Sequence, residues 1–181
     1  MELSSRNFQS DLKNINFKTF FRGQTEISDY DNLFANQRVI VFSIPKMFMP
    51  ESLDYIKVFN ETYKQLCECG IDNVYAINSF ERMFPAWMDH QSQQIVGLAD
   101  IDRKFIKPLA CIFQPLDKLD GLAKYWQYIA IFNNGVLEKF WKSPYKSDLP
   151  LRILKRSDFQ YHKLGPGVVL DYLKNSVDTS K

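Results

Sequence analysis

From Arg38 to Ile44 the chain is almost wholly apolar and rich in β-branched residues. A run of that length reads as a strand buried on both faces, and Pro45 ends it. From Ser52 onward, Leu53, Ile56, Phe59, Tyr63 and Leu66 recur at spacings of three and four. This predicts a helix docked by one stripe, with Gly70 as its stop. Asn73 to Ile77 has the composition of a second buried strand. Asn78-Ser-Phe-Glu81 then offers an Asn cap with Glu at the third helical position, so a helix is expected from Ser79, carrying Phe80, Met83, Phe84 and Trp87. A polar break from Asp89 to Gln94 follows. Ile95 to Ala99 predicts a third short strand, and a brief helical turn is expected from Ile101 towards Pro108.

Two more apolar runs, Tyr125 to Phe132 and Val136 to Trp141, are joined through Asn133-Asn-Gly135, and Asn-Gly is a strong signal for a two-residue hairpin turn. Gly165-Pro-Gly167 precedes Val168, Val169, Leu170, Tyr172 and Leu173, a last amphipathic helix with Pro near its start. Parallel strands need crossover helices and a hairpin does not. The order of elements therefore implies an α/β fold of thioredoxin-like topology, with a mixed central sheet and flanking helices. A single domain over residues 1–175 is expected, with 176–181 as a disordered tail.

Composition narrows the class. At 181 residues the chain suffices for one domain with a core of its own, so no disulfide framework or metal staple is required. A formal net charge of +2 argues against a dedicated nucleic-acid or membrane-surface protein. The apolar runs are too short to span a bilayer, and the first residues lack a basic stretch followed by an apolar one, so a cytoplasmic setting is expected. Three cysteines (Cys67, Cys69, Cys111) and two histidines (His90, His162) supply no zinc-ligand spacing and little material for a His-based triad. No metal and no cofactor are expected.

Four segments, in order, resemble the peroxiredoxin family of the redoxin superfamily, and in particular its atypical type-five branch, which includes forms fused to glutaredoxin. Val39-Ile-Val-Phe-Ser-Ile-Pro45 with Phe48 and Pro50 is similar to the family's strand and its Pro-Gly-Ala-Phe-Thr-Pro-x-Cys loop. Asn78-Ser-Phe-Glu-Arg-Met-Phe-Pro-Ala-Trp87 resembles Val-Asn-Asp-x-Phe-Val-x-x-x-Trp. Ala99-Asp100 with Phe105 resembles Ala-Asp-x-x-x-x-Phe, and Trp126-Gln-Tyr128 resembles Trp-Arg-Tyr. The resemblance implies a redoxin fold, a homodimer and, in its ordinary members, a thiol peroxidase.

The catalytic positions implied by the resemblance fall on Pro45, Met49, Ser52 and Gln127. Here threonine is replaced by Met49, the peroxidatic cysteine by Ser52 and the arginine by Gln127. A peroxidatic thiol needs a lowered pKa, obtained at a helix N-terminus beside a cation, and Ser52 is far less acidic than a thiol. Met49 is expected to plug the pocket, and Gln127 keeps hydrogen-bonding capacity without positive charge. The reading is a degenerate peroxiredoxin-like protein, a pseudoenzyme with a binding or regulatory role, whose pocket takes a protein partner or small ligand.

Two alternatives stand beside it. A displaced thiol could sustain oxidoreductase chemistry, and Cys69 is the candidate: Cys67 continues the apolar stripe of its helix and Cys111 lies in an apolar run, so both read as core. The segment 142–163, with Lys142, Lys146, Arg152, Lys155, Arg156 and Lys163 among Tyr145, Phe159 and Tyr161, reads either as anion or nucleic-acid binding or as a solvated loop over a sheet edge. Phe48, Phe84 and Trp87 read equally as core or as an apolar interface patch. Asn60-Glu-Thr62 is a glycosylation triplet by chance, being inside a predicted helix.

Overall fold

The computed structural model describes residues 12–44, 50–79, 83–100, 104–113, 127–142 and 164–178. In chain order the elements are β1 (Asn16–Phe21), β2 (Gln24–Asp29), α1 (Tyr30–Phe34), β3 (Arg38–Ser43), α2 (Pro50–Glu68) and β4 (Asn73–Asn78). There follow α3 (Phe84–Gln91), β5 (Val96–Ala99), α4 (Ile106–Phe113), β6 (Tyr128–Asn133), β7 (Val136–Lys142) and α5 (Pro166–Asp178). The seven strands form one sheet in the order β2-β1-β5-β4-β3-β6-β7.

β3, β4 and β5 are parallel neighbours, and the other pairings are antiparallel. α2 and α3 are the crossovers that parallel pairing requires. Alternation along β3 sends Ile40 and Phe42 to the face covered by α2, α3 and α5. Val39 and Val41 go to the face covered by α1 and α4. Both faces are buried, which is why β3 reads as an unbroken apolar run. The first face is centred on Phe42, whose ring stacks on Phe59 at 4.0 Å and meets Tyr55 edge-on at 5.3 Å. The second holds a cluster of rings from Phe17, Tyr30, Phe34, Phe105 and Phe132.

The stop at Gly70 takes a defined form. Gly70 has φ +84°, its N–H donates to Cys67 O at 3.0 Å, and Ile71 N–H donates to Leu66 O at 3.2 Å, the two bonds of a Schellman motif. Asn134 and Gly135, at φ +52° and +73°, make the β6–β7 turn.

Three boundaries and one hairpin differ from expectation. α3 begins at Phe84 rather than Ser79, because Pro85 fits only the first helical turn; in the interior it would break a backbone bond. α4 is a full helix to Phe113 rather than a brief turn ending at Pro108. Pro108 lies in its first turn, where the N–H has no intrahelical acceptor to lose. α5 extends to Asp178, so Ser176, Val177 and Asp178 are helical rather than part of a tail. The β1–β2 hairpin was not anticipated at all. Its Arg22-Gly23 turn has φ +50° and +75°, but β2 is an edge strand exposed on both faces and shows no alternation to read.

Phe84 and Trp87 are core residues, 0% and 5% exposed, which closes the interface reading for both; Phe48 lies outside the described residues. α3 packs closely on β5 because Gly97 leaves room: a Cβ there would stand 3.0 Å from Met88 Cγ. Asn60 spends its amide on Gln91 O at 3.0 Å, tying α2 to α3, so its triplet is structural.

Candidate functional site

The parallel strands end together, and ligands in open α/β sheets bind beyond such carboxyl ends. Here the edge is polar and buried. Ser43, Ser52, Asn78, Asp100 and Gln127 are each no more than 8% exposed.

Most of these groups bind one another across the strand ends. Tyr128 N–H donates to Ser43 Oγ at 2.9 Å, joining β6 to β3. Ile44 N–H donates to Ile77 O at 2.9 Å, and Asn78 Nδ2 donates back to Ile44 O. Asp100 N–H donates to Asn78 O at 2.8 Å, and its carboxylate accepts from Phe105 N–H at 2.8 Å and Ile106 N–H at 3.0 Å. These bonds continue the sheet past the last strand residues and anchor the start of α4, whose free N–H groups favour a carboxylate. Asn78 is therefore not the cap of a helix at Ser79; its amide is committed to the β3 exit. The sequence reading missed Ser43 as a site residue and met Asp100 only within a motif. The signal was available: a polar residue at the end of a buried strand or directly after it must find a partner.

Burial, and secondarily the charge of Asp100, hold the Tyr128 phenol well above its ordinary range. It is neutral at any physiological pH.

Ser52 stands at the third position of α2, in the first turn, 1% exposed. It lies one turn before Tyr55, which packs on Phe42. Gln127 precedes β6 and is out of phase with Tyr128, so it continues the row of Ile129 and Ile131 on the α2 face. Phe42 pairs with Ile129, which brings Gln127 beside Ile44. Gln127 Nε2 is buried and donates to nothing. Pro45 and Met49 lie outside the described residues.

The displaced-thiol candidate falls elsewhere. Cys69 is the residue at which α2 terminates, 17 residues from Ser52, a separation of roughly 25 Å along the axis. Cys69 is half-buried against the core, and Cys67, also half-buried, hydrogen-bonds Tyr63. Both sit at the carbonyl end of the helix. Cys111 belongs to α4. Of the basic stretch only Lys142 falls among the described residues, in which no three His, Cys, Asp or Glu side chains cluster as metal ligands. No described helix is long and apolar enough to cross a membrane.

Comparison with known proteins gives a consistent answer. The chain is 28% identical over 138 residues to a peroxiredoxin of Rhizobium etli, covering 69% of this chain and 76% of that protein. It is 27% identical over 124 residues to the hybrid peroxiredoxin hyPrx5 of Haemophilus influenzae, 67% of this chain but 51% of that protein, about half its length. Among solved structures, reduced Prx3 of Vibrio vulnificus in complex with hydrogen peroxide superposes with a TM-score of 0.65 at 20% identity, covering 90% of this chain and 92% of that one. In sequence the chain is thus similar to peroxiredoxins, and in fold it resembles them. No family model matches it. Peroxiredoxin 5 of Alvinella pompejana shares the fold at a TM-score of 0.57 and 17% identity, covering 74% of this chain and 86% of that one. The architecture is the expected α/β, thioredoxin-like one: a mixed sheet with helices on both faces.

Proposed function

We propose that this chain is a redoxin that has lost thiol peroxidase chemistry and acts by binding, as a homodimer in the cytoplasm, through the pocket its relatives use for peroxide. One observation carries the reading. In the first turn of α2, where the resemblance calls for the peroxidatic thiol, the buried side chain is Ser52.

The chemistry follows from the element. In peroxide reduction a thiolate sulfur attacks one peroxide oxygen; an S–O bond forms as the O–O bond breaks, the departing oxygen takes a proton, and sulfur is oxidised. A serine oxygen in the same place would exchange one O–O bond for another, forming a new peroxide for the one consumed, with no net reduction of peroxide to drive the step. Gln127 supplies no charge to lower an acid's pKa or to stabilise the departing oxygen. The thiols of α2 stand at its far end, too distant to substitute.

The test is an NADPH-coupled assay with thioredoxin or glutathione as reductant and hydrogen peroxide or an organic hydroperoxide as substrate. No turnover above blank is expected. Any turnover overturns the reading, and turnover lost in Cys69→Ser would establish the displaced thiol instead. A variant combining Met49→Thr, Ser52→Cys and Gln127→Arg measures how much of the pocket survives. Light scattering tests the homodimer.

A further inference from the structure

We infer that the free edge of β2 is the surface on which two copies of this chain pair, antiparallel about a two-fold axis at Ile27, so that one sheet runs through both. The inference rests on the homodimer proposed above and names its surface. β2 ends the sheet, and apart from half-buried Ser28 its residues are exposed, so no described segment lies over it. Ile27 is 72% exposed, the most of any large hydrophobic side chain among the described residues. Sheet edges are ordinarily blunted against pairing by bulges, lysines or proline. The opposite edge is blunted in this way: β7 carries a register shift against β6 and the lysines Lys139 and Lys142. β2 has none of these devices. Its six residues pair with β1 in unbroken register, without lysine or proline, and they present a β-branched apolar side chain to water.

The hairpin turn fixes which backbone groups the edge offers. A two-residue loop with positive φ at both positions closes on a hydrogen-bonded pair, here Phe21 with Gln24. Such pairs alternate along an antiparallel ladder, so the next are Thr19 with Glu26 and Phe17 with Ser28, a phase that Tyr30 N–H continues by donating to Ile15 O at 3.0 Å. The N–H and C=O of Thr25 and Ile27 and the N–H of Asp29 therefore point away from β1. Charge then selects the register. An axis at Glu26 sets that carboxylate against its own copy, a like-charge pair that opposes association. Axes nearer either end leave at least half of the strand unpaired. With the axis at Ile27, Glu26 faces the partner's Ser28, Asp29 faces the partner's Thr25, and the two exposed isoleucines meet. Two hydrogen bonds form at the central pair, and Asp29 N–H of each copy donates to the partner's Thr25 carbonyl. The Arg22 turn of each copy runs out beside the acidic start of the other copy's α1, at Asp29 and Asp31. A strand pair this short buries little area, so the association is weak, with a Kd no tighter than about 10 µM.

The test is sedimentation of the full chain across a concentration series, joined to amide hydrogen exchange by NMR. Only this register sets residue 27 against its own copy. Ile27→Lys and Ile27→Glu should therefore each weaken association roughly tenfold or more, while an equimolar mixture of the two should associate again, since opposite charges then face across the axis. Val136→Lys, at a 48% exposed position of the β7 edge, should leave association unchanged. Position 27 is exposed, so the substitutions spare the core, and thermal melts of each variant report folding separately. In the natural chain the amides of Thr25 and Ile27 should gain protection as concentration rises, whereas those of Glu26 and Ser28 are protected at every concentration. Association unchanged in both Ile27 variants, a mixture that stays apart, or protection that does not alternate would each overturn the inference. So would β2 amides fully protected in a monomer, because another segment of the same chain would then occupy the edge. A dimer that persists in both variants overturns this surface and leaves the proposed homodimer standing; a chain that stays monomeric throughout overturns both. The peroxidase assay is independent of either result.

Discussion

The same strands carry opposite designs at their two ends. At the amino end of β3, polar groups close on one another. Arg38 forms a bidentate pair with Glu138 of β7, its N–H donates to Asp72 Oδ2 at 2.7 Å, and Asn73 Nδ2 donates to Gln37 Oε1 at 2.6 Å. The Tyr30 hydroxyl donates to Gly135 O at 2.9 Å, fastening α1 to the hairpin turn. At the carboxyl end the groups are more deeply buried, yet the amide of Gln127 has no partner. A polar network that serves the fold satisfies itself, whereas one that serves a ligand leaves capacity unspent and accepts a loss of stability for it.

Alkali should break both ends together and have the largest effect. Burial holds Tyr30 and Tyr128 above the ordinary tyrosine range, and it pushes Tyr75 up to about 12, with Tyr63 and Asp72 adding to the shift. Unfolded tyrosines ionise near 10. These groups therefore contribute stability that is fully present below about pH 10 and is lost as pH rises through the folded values. Circular dichroism against pH should show cooperative unfolding beginning above pH 10. A native signal persisting while all the tyrosines ionise would refute the burial argument.

Substitutions then separate the ends. Asp100→Ala leaves two buried N–H groups of α4 without an acceptor and should cost about 3 kcal/mol in chemical denaturation, with Asp100→Asn losing less. Arg38→Ala should cost about 1 kcal/mol and should matter less at high salt, as befits a pair at the sheet margin. Gln127→Met should cost nothing or stabilise by up to about 1 kcal/mol, because it removes a donor that has no partner. A loss of more than 1 kcal/mol there would mean that the amide serves the fold, and the contrast between the two ends would disappear.

How much of this was legible depends on what each residue answers to. β3, β4, the long helix with its Gly70 stop and the Asn134-Gly135 hairpin were readable because periodicity and turn chemistry are local. The β1–β2 hairpin was not: β2 contributes no buried face, and its place is decided by β1 pairing with β5 about 80 residues later in the chain. The start of α3 was misplaced because the cap signal at Asn78 and the proline at Pro85 conflict, and the proline's steric demand prevails.

At the site, the residue types at Ser52 and Gln127 were legible by themselves, since an alcohol and an amide carry their reactivity wherever they are placed. Folding alone decided what those groups face. Ser52 and Gln127 are 75 residues apart in the sequence, and each is buried only through the folded sheet: Gln127 precedes β6, which pairs with β3, and Ser52 belongs to α2, which returns over Phe42. Whether a donor is satisfied depends on every acceptor within about 3 Å, and that neighbourhood exists only once the chain has folded.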